Sequence, residues 1–196
     1  MTAPTGLSVC IYCGSRHGND AAFSHAAREV GRQIGERGWQ LVYGGGNVGL
    51  MGEVADATLA AGGRVIGVIP DLLLDKEVGH RALTELHVVR NMHERKQLMA
   101  EKADAFLALP GGIGTFEELF EVWTWRHLGY HQRPIGLLNC KGFYDPLLAF
   151  MRSACESGFM DNEQMAMLTV KADPKAMLDH FAQQAPRPGA PDFGQV

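Results

Sequence analysis

The hydrophobic positions of this chain fall into short unbroken runs, separated by longer stretches in which apolar residues recur every three or four positions. "LSVCIYCGS" (7–15), "WQLVYGGG" (39–46), "RVIGVIP" (64–70), "LHVVRN" (86–91), "DAFLALP" (104–110) and "PIGLLNC" (134–140) are runs of the first kind, and a shorter one lies at 168–171. Runs of this length, closed by Gly, Pro or Asn, predict buried strands. The stretches 20–38, 50–62, 92–103, about 115–128, 145–158 and 174–184 predict helices, the first capped by Asp20 and stopped at Gly38. The segment from Asp71 to Leu86 fits neither period, and the Pro/Gly-rich residues 186–196 read as a loose tail.

Strands that alternate with helices at this spacing need crossovers, and so pair in parallel. The expectation is one α/β domain over 1–185, a Rossmann-like open doubly wound parallel sheet in three layers, with helices on both faces. Ligands of such sheets lie beyond the carboxyl ends of the strands. Cys13-Gly14-Ser15, Gly44-Gly45-Gly46 and Pro110-Gly111-Gly112 each end a strand, so three strand ends can converge on one crevice.

Composition narrows the partner. At 196 residues with a formal charge of −4, the chain has no Lys/Arg run long enough to track a nucleic-acid backbone or an acidic membrane. No apolar run reaches the ~20 residues of a membrane helix, and the start carries no basic, apolar leader, which predicts a cytoplasmic protein. Cys10-Ile-Tyr-Cys13 matches C-x-x-C but stands on an apolar run, and Cys140 and Cys155 offer no second pair for zinc. The four are expected to be reduced thiols, with no metal and no cofactor.

Two glycine loops carry the candidate chemistry. Gly44-x-Gly46-x-x-Gly49 has dinucleotide-fingerprint spacing but follows the second strand. Its glycines either bring backbone N–H groups to a phosphate or make a tight turn, with Gly49 and Gly52 letting the next helix pack closely. In "PGGIGTFEE" (110–118), Gly111, Gly112 and Gly114 free the backbone and Thr115 adds a hydroxyl at a helix start. No Gly-Lys-Ser/Thr follows, so a monophosphate fits better than a triphosphate. Glu117 and Glu118 are stabilised at a helix start by about 0.3–1 kcal/mol, yet a bound phosphate competes for the same positive end. They should therefore point toward whatever the phosphate is attached to. Glu121 shares a face with either, and which of the three meets that group is open, with Glu118 the choice. Trp123 and Trp125 read as core or interface rather than as a base-stacking platform. Arg95 and Lys96, one turn into the 92–103 helix, can grip a phosphate or sugar oxygen.

"YGGGNVGLMG" (43–52), "MHERK" (92–96) and "PGGIGTFEE" (110–118), in that order, resemble the LOG (Lonely Guy) family of nucleoside 5′-monophosphate phosphoribohydrolases, and the likeness extends from Val9 to about Phe150. Members are often labelled possible lysine decarboxylases, which would need a Schiff-base lysine for pyridoxal phosphate that nothing here singles out. The resemblance implies hydrolysis of the N-glycosidic bond of a purine nucleoside 5′-monophosphate, with an N6-substituted adenosine monophosphate or AMP as the small-molecule partner, and a homodimer. By motif, Arg95 and Glu118 match the catalytic residues, and Lys96, Gly112, Gly114, Thr115, Glu117 and Thr124 the substrate-binding set. Gly14, Ser15, Gly45, Gly46, Met92, Gly111, Ile113, Phe116 and Glu121 join that set from the same loops. Plant members carry an acidic substrate contact shortly after the proline ending the third strand; here the chain reads Pro70-Asp71-Leu72-Leu73-Leu74. A nucleotide-binding module without turnover, or a nicotinamide-dependent oxidoreductase resting on Gly44 to Gly49, are the alternatives.

Overall fold

The computed structural model describes residues 6–74, 79–80 and 82–185. The 186–196 tail and part of the ambiguous 71–86 segment lie outside them. Among the described residues the seven strands are β1 (Ser8–Tyr12), β2 (Gln40–Tyr43), β3 (Arg64–Pro70), β4 (Glu85–Val89), β5 (Ala105–Ala108), β6 (Ile135–Leu138) and β7 (Leu168–Lys171). All are parallel, in the order β4-β3-β2-β1-β5-β6-β7. The helices are α1 (Ala21–Glu36), α2 (Gly49–Ala60), α3 (Asp71–Leu74), α4 (Met92–Glu101), α5 (Ile113–His127), α6 (Asp145–Glu156), α7 (Asn162–Ala166) and α8 (Pro174–Gln184), with a 3₁₀ turn at Cys140–Gly142. The short α3 and α7 and the 3₁₀ turn are additions to the elements expected from periodicity.

Every residue of β1, β2, β5 and β6 is buried, because helices cover both faces of the central sheet. Val9, Ile11 and Cys13 enter one core with residues of α1, α2 and α8; Cys10 and Tyr12 enter the other with residues of α4, α5 and α6. That alternation settles the C-x-x-C spacing: on a strand, residues three apart point to opposite faces, and both thiols are free and buried. Trp123 and Trp125 belong to the second core, where the Trp123 indole N–H donates to the Gln164 carbonyl at 3.0 Å.

Asp20 caps α1 by accepting from Ala22 N at 2.8 Å, and Gly38 turns the chain out of it with φ +66°. A Cβ on Gly31 would lie 2.4 Å from the Val54 carbonyl, so small residues let α1 lie directly on α2. No helix among the described residues is long and apolar enough to cross a membrane.

Candidate active site

The strand order reverses direction between β1 and β5, and their carboxyl ends open a crevice at that point. Gly14 N donates to the Pro110 carbonyl at 3.1 Å, and Leu50 N donates to the Gly14 carbonyl at 3.0 Å. These bonds tie the loop after β1 to the loop after β5 on one side and to the start of α2 on the other. The cavity they frame measures about 620 Å³. It is lined by residues 13–18, Leu50, Met51, Leu73, Met92, Arg95, residues 110–115, Glu117, Glu118 and Phe143.

Its polar character comes from a helix start. The first N–H groups of a helix have no acceptor within it. Asp20, Asn91, Asp161 and Asp173 cap α1, α4, α7 and α8 with side-chain oxygens. By contrast the residues at the N-cap positions of α2 and α5, Val48 and Gly112, provide no side-chain cap, and both first turns border the cavity. A Cβ on Gly112 or Gly114 would meet nothing within 4 Å, so these glycines keep open the space over the α5 amides. Gly111 has the opposite reason to be glycine: a Cβ there would sit 2.1 Å from Thr115 Oγ1 and 2.8 Å from Gly14 N. Thr115 is buried beneath that loop, and Ile113 stands out at its rim.

Helical spacing sorts the three glutamates. Glu118 lies one turn beyond Gly114 and Thr115, half-buried and on the cavity wall. Glu117 also borders the cavity but is exposed, and Lys96 Nζ meets its Oε1 at 2.5 Å and Glu121 Oε1 at 2.9 Å. Burial alone would lower the Lys96 pKa; the two carboxylates outweigh it and raise it. Lys96 and Glu121 thus form a bridge between α4 and α5 outside the cavity lining. Burial first, and then the charge of Glu118, push the Cys13 thiol above its usual range, which favours the protonated thiol.

Arg95 is 5% exposed. Its Nη2 donates to the Gly44 carbonyl at 3.1 Å and its Nη1 to Met92 Sδ at 3.7 Å. These two contacts hold the guanidinium on the cavity wall, beside a helix start whose dipole also favours an anion.

Several expected residues stand elsewhere. Gly45, at φ +78°, packs its Cα side against β3, where a Cβ would approach Ile69 and Leu86 at 3.2 Å; Gly46 makes a backbone bridge to Gly79. Gly49 lies against the Ser15–Arg16 peptide, a Cβ there falling 2.3 Å from Arg16 N. The dinucleotide-like spacing of Gly44, Gly46 and Gly49 therefore serves Arg95, a bridge and a close packing contact. Phe116 turns into the core against Tyr144, and the exposed Thr124 donates its hydroxyl back to the Phe120 carbonyl at 2.7 Å, two turns down α5. None of Gly45, Gly46, Phe116 or Thr124 lines the cavity. Arg16, His17, Gly18, Leu50, Met51, Leu73 and Phe143 do, and periodicity did not single them out. The polar "GSRHG" between a strand and a helix was the available signal for the first three.

Comparison with known proteins gives the chain a family. The family model described as "Possible lysine decarboxylase" matches residues 51–181. A cytokinin riboside 5′-monophosphate phosphoribohydrolase of Rhodococcoides fascians is 51% identical over 158 residues, covering 80% of this chain and 80% of the relative. A probable enzyme of the same name from Oryza sativa subsp. japonica is 44% identical over 179 residues, covering 91% of this chain and 73% of the relative. Among solved structures, the molybdenum cofactor carrier protein of Chlamydomonas reinhardtii shares the fold with a TM-score of 0.69 at 21% identity, over 91% of this chain and 97% of that one. The chain belongs to the LOG family, whose model carries the lysine-decarboxylase description and whose matched relatives are named cytokinin riboside 5′-monophosphate phosphoribohydrolases.

Proposed function

We propose that this protein hydrolyses the N-glycosidic bond of purine nucleoside 5′-monophosphates, AMP and N6-substituted adenosine monophosphates among them, releasing the free base and ribose 5-phosphate. One juxtaposition carries the reading: the uncapped start of α5, Glu118 one turn beyond it, and the Arg95 guanidinium border the same cavity. The 5′-phosphate docks on the 111–115 loop, where backbone amides and the helix dipole favour an anion. A ribose separates that phosphate from the bond to be cut, which brings the sugar to Glu118. Cleavage passes through an oxocarbenium-like centre at C1′. Glu118 stabilises that positive charge and accepts a proton from the water that adds to C1′, while the base leaves with a proton. Arg95 orients Glu118 and the substrate oxygens.

A pyridoxal Schiff base does not fit the site. It needs a lysine amine in the cavity; among the described residues none that lines it is a lysine, and the nearby Lys96 amine is held by Glu117 and Glu121. The partner in this reading is a small nucleotide, with no nucleic acid or membrane involved. A homodimer belongs to the same proposal, supported by the exposed Phe120 on α5 and the exposed Leu128 just after it, and light scattering on the purified chain tests it.

The decisive experiment compares AMP with adenosine, measuring released adenine. Remote phosphate binding positions the scissile bond, so the riboside should be turned over at least ~100-fold more slowly. Equal rates would sink the proposal. Nucleotide binding without any release of adenine would favour a binding module instead. Running GMP, CMP and N6-isopentenyl-AMP alongside defines the base preference.

A further inference from the structure

Met92 is the first residue of α4, one helical turn before Arg95, so the two side chains share a face. Its sulfur is 3.7 Å from Arg95 Nη1, and the residue borders the cavity while 41% exposed. Every other methionine among the described residues is less accessible: Met51, Met99, Met151 and Met177 are buried, and Met160, Met165 and Met167 half-buried. A thioether is a weak acceptor, whereas a sulfoxide oxygen is polar and accepts strongly. The cavity's most accessible oxidisable sulfur is therefore also in contact with its arginine.

We infer that Met92 is an oxidation site that switches Arg95. Hydrogen peroxide transfers one oxygen to Met92 Sδ; the O–O bond breaks, an S–O bond forms and water leaves, with sulfur oxidised by two electrons and peroxide reduced by two. The new oxygen stands between Sδ and the guanidinium, takes the Nη1 donor and draws Arg95 from the substrate. Thiol-dependent methionine sulfoxide reductases reverse the change. The consequence for turnover rests on the hydrolase reading above; the site of oxidation and its effect on nucleotide affinity do not.

The test treats the purified full chain with hydrogen peroxide, then with dithiothreitol to return cysteine oxidation products that a thiol can reduce. Peptide mass spectrometry, AMP affinity by calorimetry and adenine release are followed together. Met92 should gain its oxygen ahead of the other methionines, with AMP affinity and turnover falling about tenfold or more, the range of a diverted hydrogen bond to a charged group. Sulfoxide reductases A and B should restore both. Met92→Gln, whose amide oxygen stands in for the sulfoxide, should reproduce the loss without oxidant. Met92→Leu, whatever its basal rate, should keep a treated-to-untreated ratio near one. The inference is overturned if Met92 oxidises no faster than the half-buried methionines, if its oxidation leaves AMP affinity unchanged, or if Met92→Leu is inactivated as much as the natural chain. Failure of untreated protein to release adenine while oxidation still weakens AMP binding would refute the hydrolase reading and leave the switch standing.

Discussion

Arg95 occupies the space that a side chain on Gly44 would need: a Cβ there would fall 1.9 Å from Nη2, the nitrogen that donates to the Gly44 carbonyl. The residue that follows β2 and an arginine of the cavity wall thus share one volume. Gly44→Ala is expected to leave the sheet intact and to displace the guanidinium by an ångström or more. A shift of that size costs on the order of 100-fold in turnover. Circular dichroism and adenine release, measured on one preparation, check this; an Ala variant with full activity would remove Gly44 from the site.

The glutamates should separate by substitution. Glu118→Gln is expected to bind AMP and to lose ~100-fold or more in turnover, since a positioned acid–base group contributes ~10²–10⁴. Glu117→Gln leaves Lys96 its contact to Glu121, and should cost no more than about tenfold on the basis of one partly exposed ion pair, worth ~0.2–1 kcal/mol. Equal losses in the two variants would contradict the placement of Glu118 against the sugar.

His131 predicts an acid limit to stability. Its Nε2 donates to the Val122 carbonyl at 2.9 Å and its Nδ1 accepts from Arg133 N at 3.1 Å, a pairing that requires the neutral ring. Burial pushes its pKa down from 6.5 to about 4. Between those values the unfolded chain binds a proton that the folded one refuses, so stability is complete above about pH 6.5 and declines as pH falls toward 4, by about 3 kcal/mol if nothing else titrates. Urea unfolding across that range measures the slope. His131→Gln should lower stability at neutral pH and flatten the slope by one proton; an unchanged slope would assign the acid sensitivity elsewhere.

Tyr144 anchors the cavity from below. Buried at 1% exposure, it donates its hydroxyl at 2.5 Å to the carbonyl of Leu109, the residue before Pro110. Tyr144→Phe leaves that carbonyl without its donor and should cost about 1–2 kcal/mol in denaturant unfolding. Loss of less than half that amount would mean the carbonyl finds another donor.

Much of this was legible in the chain. The alternation of apolar runs and amphipathic stretches located the seven strands of the described residues: the central ones are covered on both faces and so largely apolar, and the partly exposed edge strands β4 and β7 still carry enough Leu and Val to show as runs. The five-residue α7 escaped because it is too short to show a period, although Asp161 and Gln164, three apart, form a capping box that sequence can signal. At the site, the 110–118 loop and Arg95 were legible because their residue types are unusual where they stand. Leu73, Met51 and Phe143 were not: each is an ordinary apolar residue whose place on the cavity wall depends on strand order. The role of Gly44 was hidden for a related reason, since it is defined by a side chain 51 residues further on.

The pairing of β1 with β5 has a consequence for how the protein is made. Ser8 N donates to Asp104 Oδ2, 96 positions further along the chain, and Val9 pairs with Ala105. A nascent chain that has emerged only through β4 can assemble one wing of the sheet but exposes the flank of β1, an unpaired edge of Val, Cys and Ile. The same zipping event that hides this sticky edge brings residues 13–18 to residues 110–118. Assembly of the candidate site and covering of this edge of β1 therefore depend on one and the same strand pairing.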